Sequence, residues 1–158
     1  MSRIKICGLR RPEDIAAVNE ARPDYCGFIV EYPKSRRSID RATLRELVRG
    51  LREEIVPVGV FVNAPKALVA ELLEEGTIQI AQLHGQESQE YIQELKVLTE
   101  KPLIQAFSIK SKEDVERARE SVADYILLDQ GSGGTGKMFD WSLVGEVGRP
   151  YFLAGGLD

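Results

Sequence analysis

Two residues with acid–base side chains stand where apolar runs end. Cys7 falls in the run Ile4–Gly8, and Asp129 follows the strongly apolar Tyr125–Leu128. Side chains alternate along a strand, so Lys5 and Cys7 share one face and Ile4 and Ile6 the other. The apolar pair suits contact with helices, which turns Cys7 to the opposite side, where a thiolate can remove a proton. Leu127 and Asp129 share a face in the same way. A carboxyl closing such a strand is costly to desolvate without a partner or a purpose. Each residue has a plainer reading as well. A free cysteine is often an inert buried hydrophobe, and an aspartate after a strand can order a loop or cap a helix. Together, at two predicted strand ends, they offer a base and an acid to opposite sides of one small substrate.

Groups for holding an anion lie nearby in the pattern. Arg36 and Arg37 sit in the basic cluster Lys34-Ser35-Arg36-Arg37, after the strand candidate Tyr25–Val30. A guanidinium there can pair bidentately with a carboxylate, and one of the two arginines suits an ordinary solvated surface. His84, in Gln82-Leu83-His84-Gly85, is a site-lining candidate whose plainer role is a structural hydrogen bond. The segment Gly131–Lys137 has four glycines in its first six positions, which lets backbone N–H groups approach a ligand. Met138 after Lys137 rules out a Walker A loop. Gly155 and Gly156 follow Tyr151–Ala154 and expose backbone amides suited to a phosphate, or simply form a turn.

Positioning these groups takes an alternating array. Strand candidates are Ile4–Gly8, Tyr25–Val30, Val56–Val62, Ile78–Leu83, Pro102–Phe107, Tyr125–Leu128 and Tyr151–Ala154. Amphipathic helix candidates between them are Pro12–Asn19, Ala42–Leu51, Ala64–Glu75, Ser88–Leu98, Lys112–Val122 and Trp141–Val147. Asp40 and Ser111 are set to cap the second and fifth helices. Alternating β and α units argue for a parallel sheet with helices outside. No Gly-x-Gly-x-x-Gly follows the first strand, which counts against a dinucleotide-binding sheet. Polar residues at strand ends favour a barrel, whose active site lies at that face. The expected fold is therefore α/β, of the (β/α)8 TIM-barrel type. Eight units need about 200 residues or more, so the 158 residues are read as one incomplete domain, residues 1–158, of about (βα)6β with the eighth unit missing.

Composition narrows the function. The net charge of −4, without a block of like charge, argues against a nucleic-acid surface. One histidine and two cysteines without zinc-site spacing exclude an imidazole-built metal centre. The N-terminal residues run directly into a strand, with no signal peptide or membrane span expected. A cytoplasmic protein with free thiols follows as the expectation.

Taken together, seven runs resemble the phosphoribosylanthranilate isomerase family. They are Lys5-Ile6-Cys7-Gly8-Leu9, Gly27-Phe28 with Tyr32–Arg37, Val58–Asn63, Gln82–Gly85, Leu127–Asp129, Gly133–Trp141 and Leu153–Leu157, in family order. The resemblance implies an Amadori rearrangement of an aminoaldose to an aminoketose, with no cofactor and no metal. By the family pattern Asp129 is the general acid and Cys7 the general base. Arg37 faces the anthranilate carboxylate, and Gly155 and Gly156 form one part of the phosphate site. The family's other phosphate-binding stretch, after an eighth strand, has no counterpart in these residues. The implied partner is a small sugar phosphate, not nucleic acid or membrane, with open strand edges as a route to self-association. Two alternatives stand beside this. One is a related barrel acting on another ribulose-type phosphate, which calls for a lysine acid and a glutamate. The other is a non-catalytic barrel fragment or assembly module completed by another chain.

Overall fold

The computed structural model describes residues 2–129, 142 and 145–154. Strands and helices alternate along them: β1 (Lys5–Cys7), α1 (Pro12–Ala21), β2 (Tyr25–Val30), β3 (Ser38–Ile39), α2 (Arg41–Arg49), β4 (Val56–Phe61), α3 (Lys66–Glu74), β5 (Ile80–Leu83), α4 (Gln89–Leu98), β6 (Leu103–Ser108), α5 (Lys112–Glu120), β7 (Tyr125–Asp129) and β8 (Tyr151–Ala154). Every strand pairing is parallel. The order is β1-β2-β4-β5-β6-β7-β8, with the two-residue β3 added to β2. Apart from β3, each strand lies beside the one before it in the chain. A doubly wound sheet reverses direction part-way across. This sheet does not, and its architecture is that of a curled, barrel-type α/β sheet.

The two faces separate as strand alternation requires. Phe28, Phe61, Ala81, Leu83 and Leu103 point outward and are buried against Leu44, Leu72, Leu73, Ile92 and Leu95 of the helices. Tyr25, Val58, Ile80, Ile104 and Leu127 form a second apolar cluster on the inner face. Strands buried on both sides read as continuous apolar runs, and that is why Val56–Phe61 shows no alternation in its sequence.

Local signals set the helix starts. Asp40 Oδ1 accepts from the Thr43 N–H at 2.8 Å. Ser111 and Asp114 form a reciprocal capping box. Pro12 opens α1, where its missing N–H costs nothing. The Asp14 carboxylate accepts from the Arg10 and Arg11 backbone N–H groups at 3.0 and 3.1 Å.

The structure departs from the expectation in several respects. β3 was not anticipated; two residues are too short for a periodicity. Ile4 and Ile6 are 61% and 37% exposed rather than packed against helices. β1 stands at one end of the strand order, so its outward side chains have neighbours on one side only. β7 also runs one residue further than expected, so Asp129 is its last residue. The segment 130–141, residues 143 and 144 of the helix candidate Trp141–Val147, and Gly155 and Gly156 lie outside the described residues. Among the described residues no helix is long and apolar enough to cross a membrane.

Candidate active site

Strand register gathers the chemistry on the inner face. Cys7 pairs in register with Gly27 of β2, and Gly27 with Val58 of β4. Gln82 of β5 pairs with Ile104 of β6. Asp129 of β7 pairs with Ser108 on one side and Ala154 on the other. Cys7 and Asp129 therefore both face inward at C-terminal strand ends, the face at which barrels of this type place their active sites.

The Cys7 thiol needs the glycine beside it. A Cβ on Gly27 would stand 2.7 Å from Cys7 Sγ and 3.3 Å from Lys5 Cε. Cys7 is exposed, whereas Cys26, one residue before Gly27, points outward and is fully buried. Burial pushes the Cys26 thiol up to about 12. Of the two cysteines, then, the one on the inner face is the accessible one, and the other is the buried hydrophobe that free cysteines often are.

Arg37 comes to the same strand end from the loop before β3. Its side chain lies across Gly8: a Cβ there would meet Arg37 Nη1 at 2.5 Å and Cδ at 2.7 Å. Gly8 also has φ +90°, a left-handed conformation that suits glycine. Its N–H donates to Gly27 O at 2.9 Å, fixing the turn beneath the guanidinium. Arg36 differs. Its carbonyl accepts from Arg10 Nη1 at 3.2 Å.

His84 stands opposite. Its backbone N–H donates to Phe61 O at 2.8 Å. The loop after it is pinned by the buried Glu87, whose carboxylate accepts from the Gly85 and Asn63 N–H groups, both at 2.8 Å. Asn63 Oδ1 in turn accepts from the Gln86 N–H at 2.7 Å. His84 Nε2 lies 3.6 Å from Asp129 Oδ2, and His84 Nδ1 lies 2.9 Å from Gln82 Nε2. Gln82 Oε1 accepts from the Lys5 ammonium. Desolvation lowers the Lys5 ammonium below the usual lysine range, against the raising influence of the two cysteines.

A cleft of about 760 Å³ runs along the inner face between the end strands β1 and β8, from Ile4, Tyr125 and Tyr151 near the strand starts to Cys7 and Ala154 at their ends. A second hollow of about 610 Å³ adjoins α4 and α5, around Glu87, Gln105 and Asp114. Neither His84 nor Asp129 lines either space, and of the two acid–base candidates Cys7 alone borders the first.

Of the candidates named from sequence, Cys7, Arg37, His84 and Asp129 converge on one end of the sheet. Sequence reasoning missed Lys5, Gln82 and Gly27 as parts of the site. Gln82 left a signal, a long amide at an inward position of an otherwise apolar strand. Among the described residues no group of three His, Cys, Asp or Glu side chains is placed to hold a metal.

Known proteins are similar to this chain in sequence and fold. The family model described as N-(5'phosphoribosyl)anthranilate (PRA) isomerase matches residues 4–158. The chain belongs to this family. The N-(5'-phosphoribosyl)anthranilate isomerase of Endomicrobium trichonymphae is 43% identical over 162 residues, covering 100% of this chain and 78% of its own. The crystal structure of phosphoribosyl anthranilate isomerase from Thermotoga maritima superimposes with a TM-score of 0.86 at 35% identity, covering 99% of this chain and 78% of that one. A further phosphoribosyl anthranilate isomerase, crystallised with reduced 1-(o-carboxyphenylamino)-1-deoxyribulose 5-phosphate, gives 0.84 at 33% identity over 99% and 77%. The TIM-barrel fold of the family is the one the consecutive parallel order describes.

Proposed function

We infer that this chain isomerises N-(5′-phosphoribosyl)anthranilate to its 1-deoxyribulose 5-phosphate counterpart. The observation that carries this reading is the placement of Cys7 and Asp129, one on each of two inward-facing strand ends, in a chain of this family. Asp129 gives its proton to the ribose ring oxygen. The bond from that oxygen to C1′ breaks as the anilino nitrogen donates its lone pair, leaving an open-chain Schiff base and an aspartate carboxylate. The Cys7 thiolate then takes the C2′ proton, and the freed electron pair gives an enolamine. Tautomerisation, with loss of the C2′ hydroxyl proton and gain of one at C1′, yields the ketone. No electrons leave the substrate, so the reaction needs no redox partner.

Binding divides along the same lines. Arg37 takes the anthranilate carboxylate, an assignment supported by its guanidinium lying over Gly8, next to Cys7. His84 lines the site beside Asp129. Gly155 and Gly156 offer backbone N–H groups to the phosphate, an assignment resting on sequence. The substrate class agrees with the carboxyphenylamino sugar phosphate bound by the structural relative above.

A reducing, cytoplasmic setting suits a mechanism that needs the exposed Cys7 as a thiol. Self-association is a second element of the reading. The Thermotoga maritima relative is described as dimeric, and the exposed Ile4, next to β1, and Tyr151, on β8, give apolar surface for such contact.

The test is turnover of freshly prepared phosphoribosylanthranilate by the purified protein, with aminoaldose and aminoketose separated by chromatography. Conversion that vanishes in Cys7→Ser and in Asp129→Asn supports the reading. Conversion that persists in both rejects the assigned roles.

A further inference from the structure

We infer that Lys5, Gln82 and His84 form a polar chain across the inner face that holds the imidazole in its Nε2–H tautomer and aims that N–H at Asp129. Its catalytic consequence rests on the isomerase reading above; the tautomer itself does not.

The argument runs from donor and acceptor identities. An ammonium has three donors and no acceptor. The Gln82 atom facing Lys5 must therefore be the carbonyl Oε1, as found. That choice sets the amide rotation and leaves Nε2 toward the ring, 2.9 Å from His84 Nδ1. An amide NH2 only donates, so Nδ1 accepts. The one proton of the neutral ring then sits on Nε2, and Nε2 is the atom 3.6 Å from Asp129 Oδ2. This distance is just beyond hydrogen-bond length, and catalytic contacts of this kind tighten when substrate binds.

The chain is built rather than incidental. Lys5 on β1 reaches Gln82 on β5 across the width of β2 and β4, the two strands between them in the sheet. Gln82 is only 2% exposed and is engaged at both ends of its amide, as a buried polar group must be. The His84 backbone is tied to Phe61 and its following loop to Glu87. Tautomer control by the hydrogen bond at the other ring nitrogen is a general device.

The consequence falls on the acid. An Nε2–H facing Oδ2 lies beside the carboxyl that gives up its proton. Once the proton has gone to the ring oxygen, the same N–H faces the new carboxylate and stabilises it. Lys5, Gln82 and His84 act through Asp129 and are positioning residues.

His84 is the sole histidine of the sequence, so a tag-free, 15N-labelled sample shows one imidazole. At about pH 8, above the usual histidine range, its two nitrogen shifts are expected to report Nε2 protonated and Nδ1 bare. The reverse pattern overturns the inference. Gln82→Glu keeps an acceptor for Lys5 but removes the donor facing Nδ1. It is expected to move the ring proton to Nδ1 and, through that, to lower kcat by about tenfold or more with KM nearly unchanged. An unmoved ring proton, or an unmoved kcat in an active protein, also overturns it. If Gln82→Glu fails to fold, the wild-type spectrum still decides the tautomer. If the wild type shows no turnover, the isomerase reading fails while the nitrogen shifts still decide the tautomer.

Discussion

Replacing Gly27 by alanine adds one methyl group beside the proposed base and almost nothing else. Gly27 lies within β2 and has no left-handed backbone conformation, so alanine brings no backbone strain. The new Cβ would stand 2.7 Å from Cys7 Sγ, where ordinary contact begins at 3.4 Å. The sulfur must therefore retreat by about 0.7 Å, the shortfall between those two distances. Lys5 Cε, at 3.3 Å from the new Cβ, must also give by a few tenths of an ångström. A misplacement of about 1 Å at a reacting centre costs about 10²-fold in rate. We therefore expect kcat of Gly27→Ala to fall by roughly 10- to 100-fold. Overpacking of this kind also costs about 1–3 kcal/mol of stability, so Tm should drop by a few degrees while the protein stays folded. The assay is isomerase turnover at saturating substrate, with circular dichroism melting in parallel. Gly50→Ala is the control, because its Cβ meets Ile15 Cγ2 at 3.5 Å and Leu47 O at 3.6 Å, both ordinary contacts remote from Cys7. Wild-type kcat in a folded Gly27→Ala protein would refute the placement of Cys7 at the reacting carbon.

The other expectations concern the remaining groups. Cys7→Ser and Asp129→Asn should each lower turnover by at least about 10²-fold while a product analogue still binds, measured by kinetics and calorimetry. Arg37→Ala should act mainly on KM, and Arg36→Ala on neither constant; a raised KM for Arg36→Ala alone would move the carboxylate contact to that residue. Iodoacetamide at about pH 8 should add one group, at Cys7, in intact mass and peptide mapping. Above about pH 9 an unfolded chain ionises Cys26 while the folded one keeps it neutral up to about 12. Its contribution to stability is thus complete below pH 9 and lost as pH rises toward 12, which an alkaline melting series checks against Cys26→Ala. Ser111→Ala should cost about 1 kcal/mol through the lost cap of α5 and leave kcat unchanged.

The elements were more legible than their meetings. β2 and β8 begin and end where the sequence places them, because turn residues bound short apolar runs. Asp40 and Ser111 mark helix starts through chemistry that acts within three residues. Cys7 and Asp129 were readable as inward strand-end residues, since alternation is local. The contact of Arg37 with Gly8 was not readable, since it depends on how the loop from Glu31 to Arg37 closes over β1. Nor was the reach of Lys5 to Gln82, which crosses two intervening strands and needs the curl of the sheet. Ile4 and Ile6 show the converse. Their alternation is correct, but burial depends on having neighbours on both sides, which position in the strand order decides.

The most direct test of the account compares three proteins on one substrate: wild type, Cys7→Ser and Asp129→Asn, each with phosphoribosylanthranilate, with binding of a product analogue measured alongside. The account predicts conversion to the aminoketose by the wild type, near-complete loss in both variants, and analogue affinity within a fewfold of wild type in all three. Conversion at the wild-type rate in either variant would contradict it.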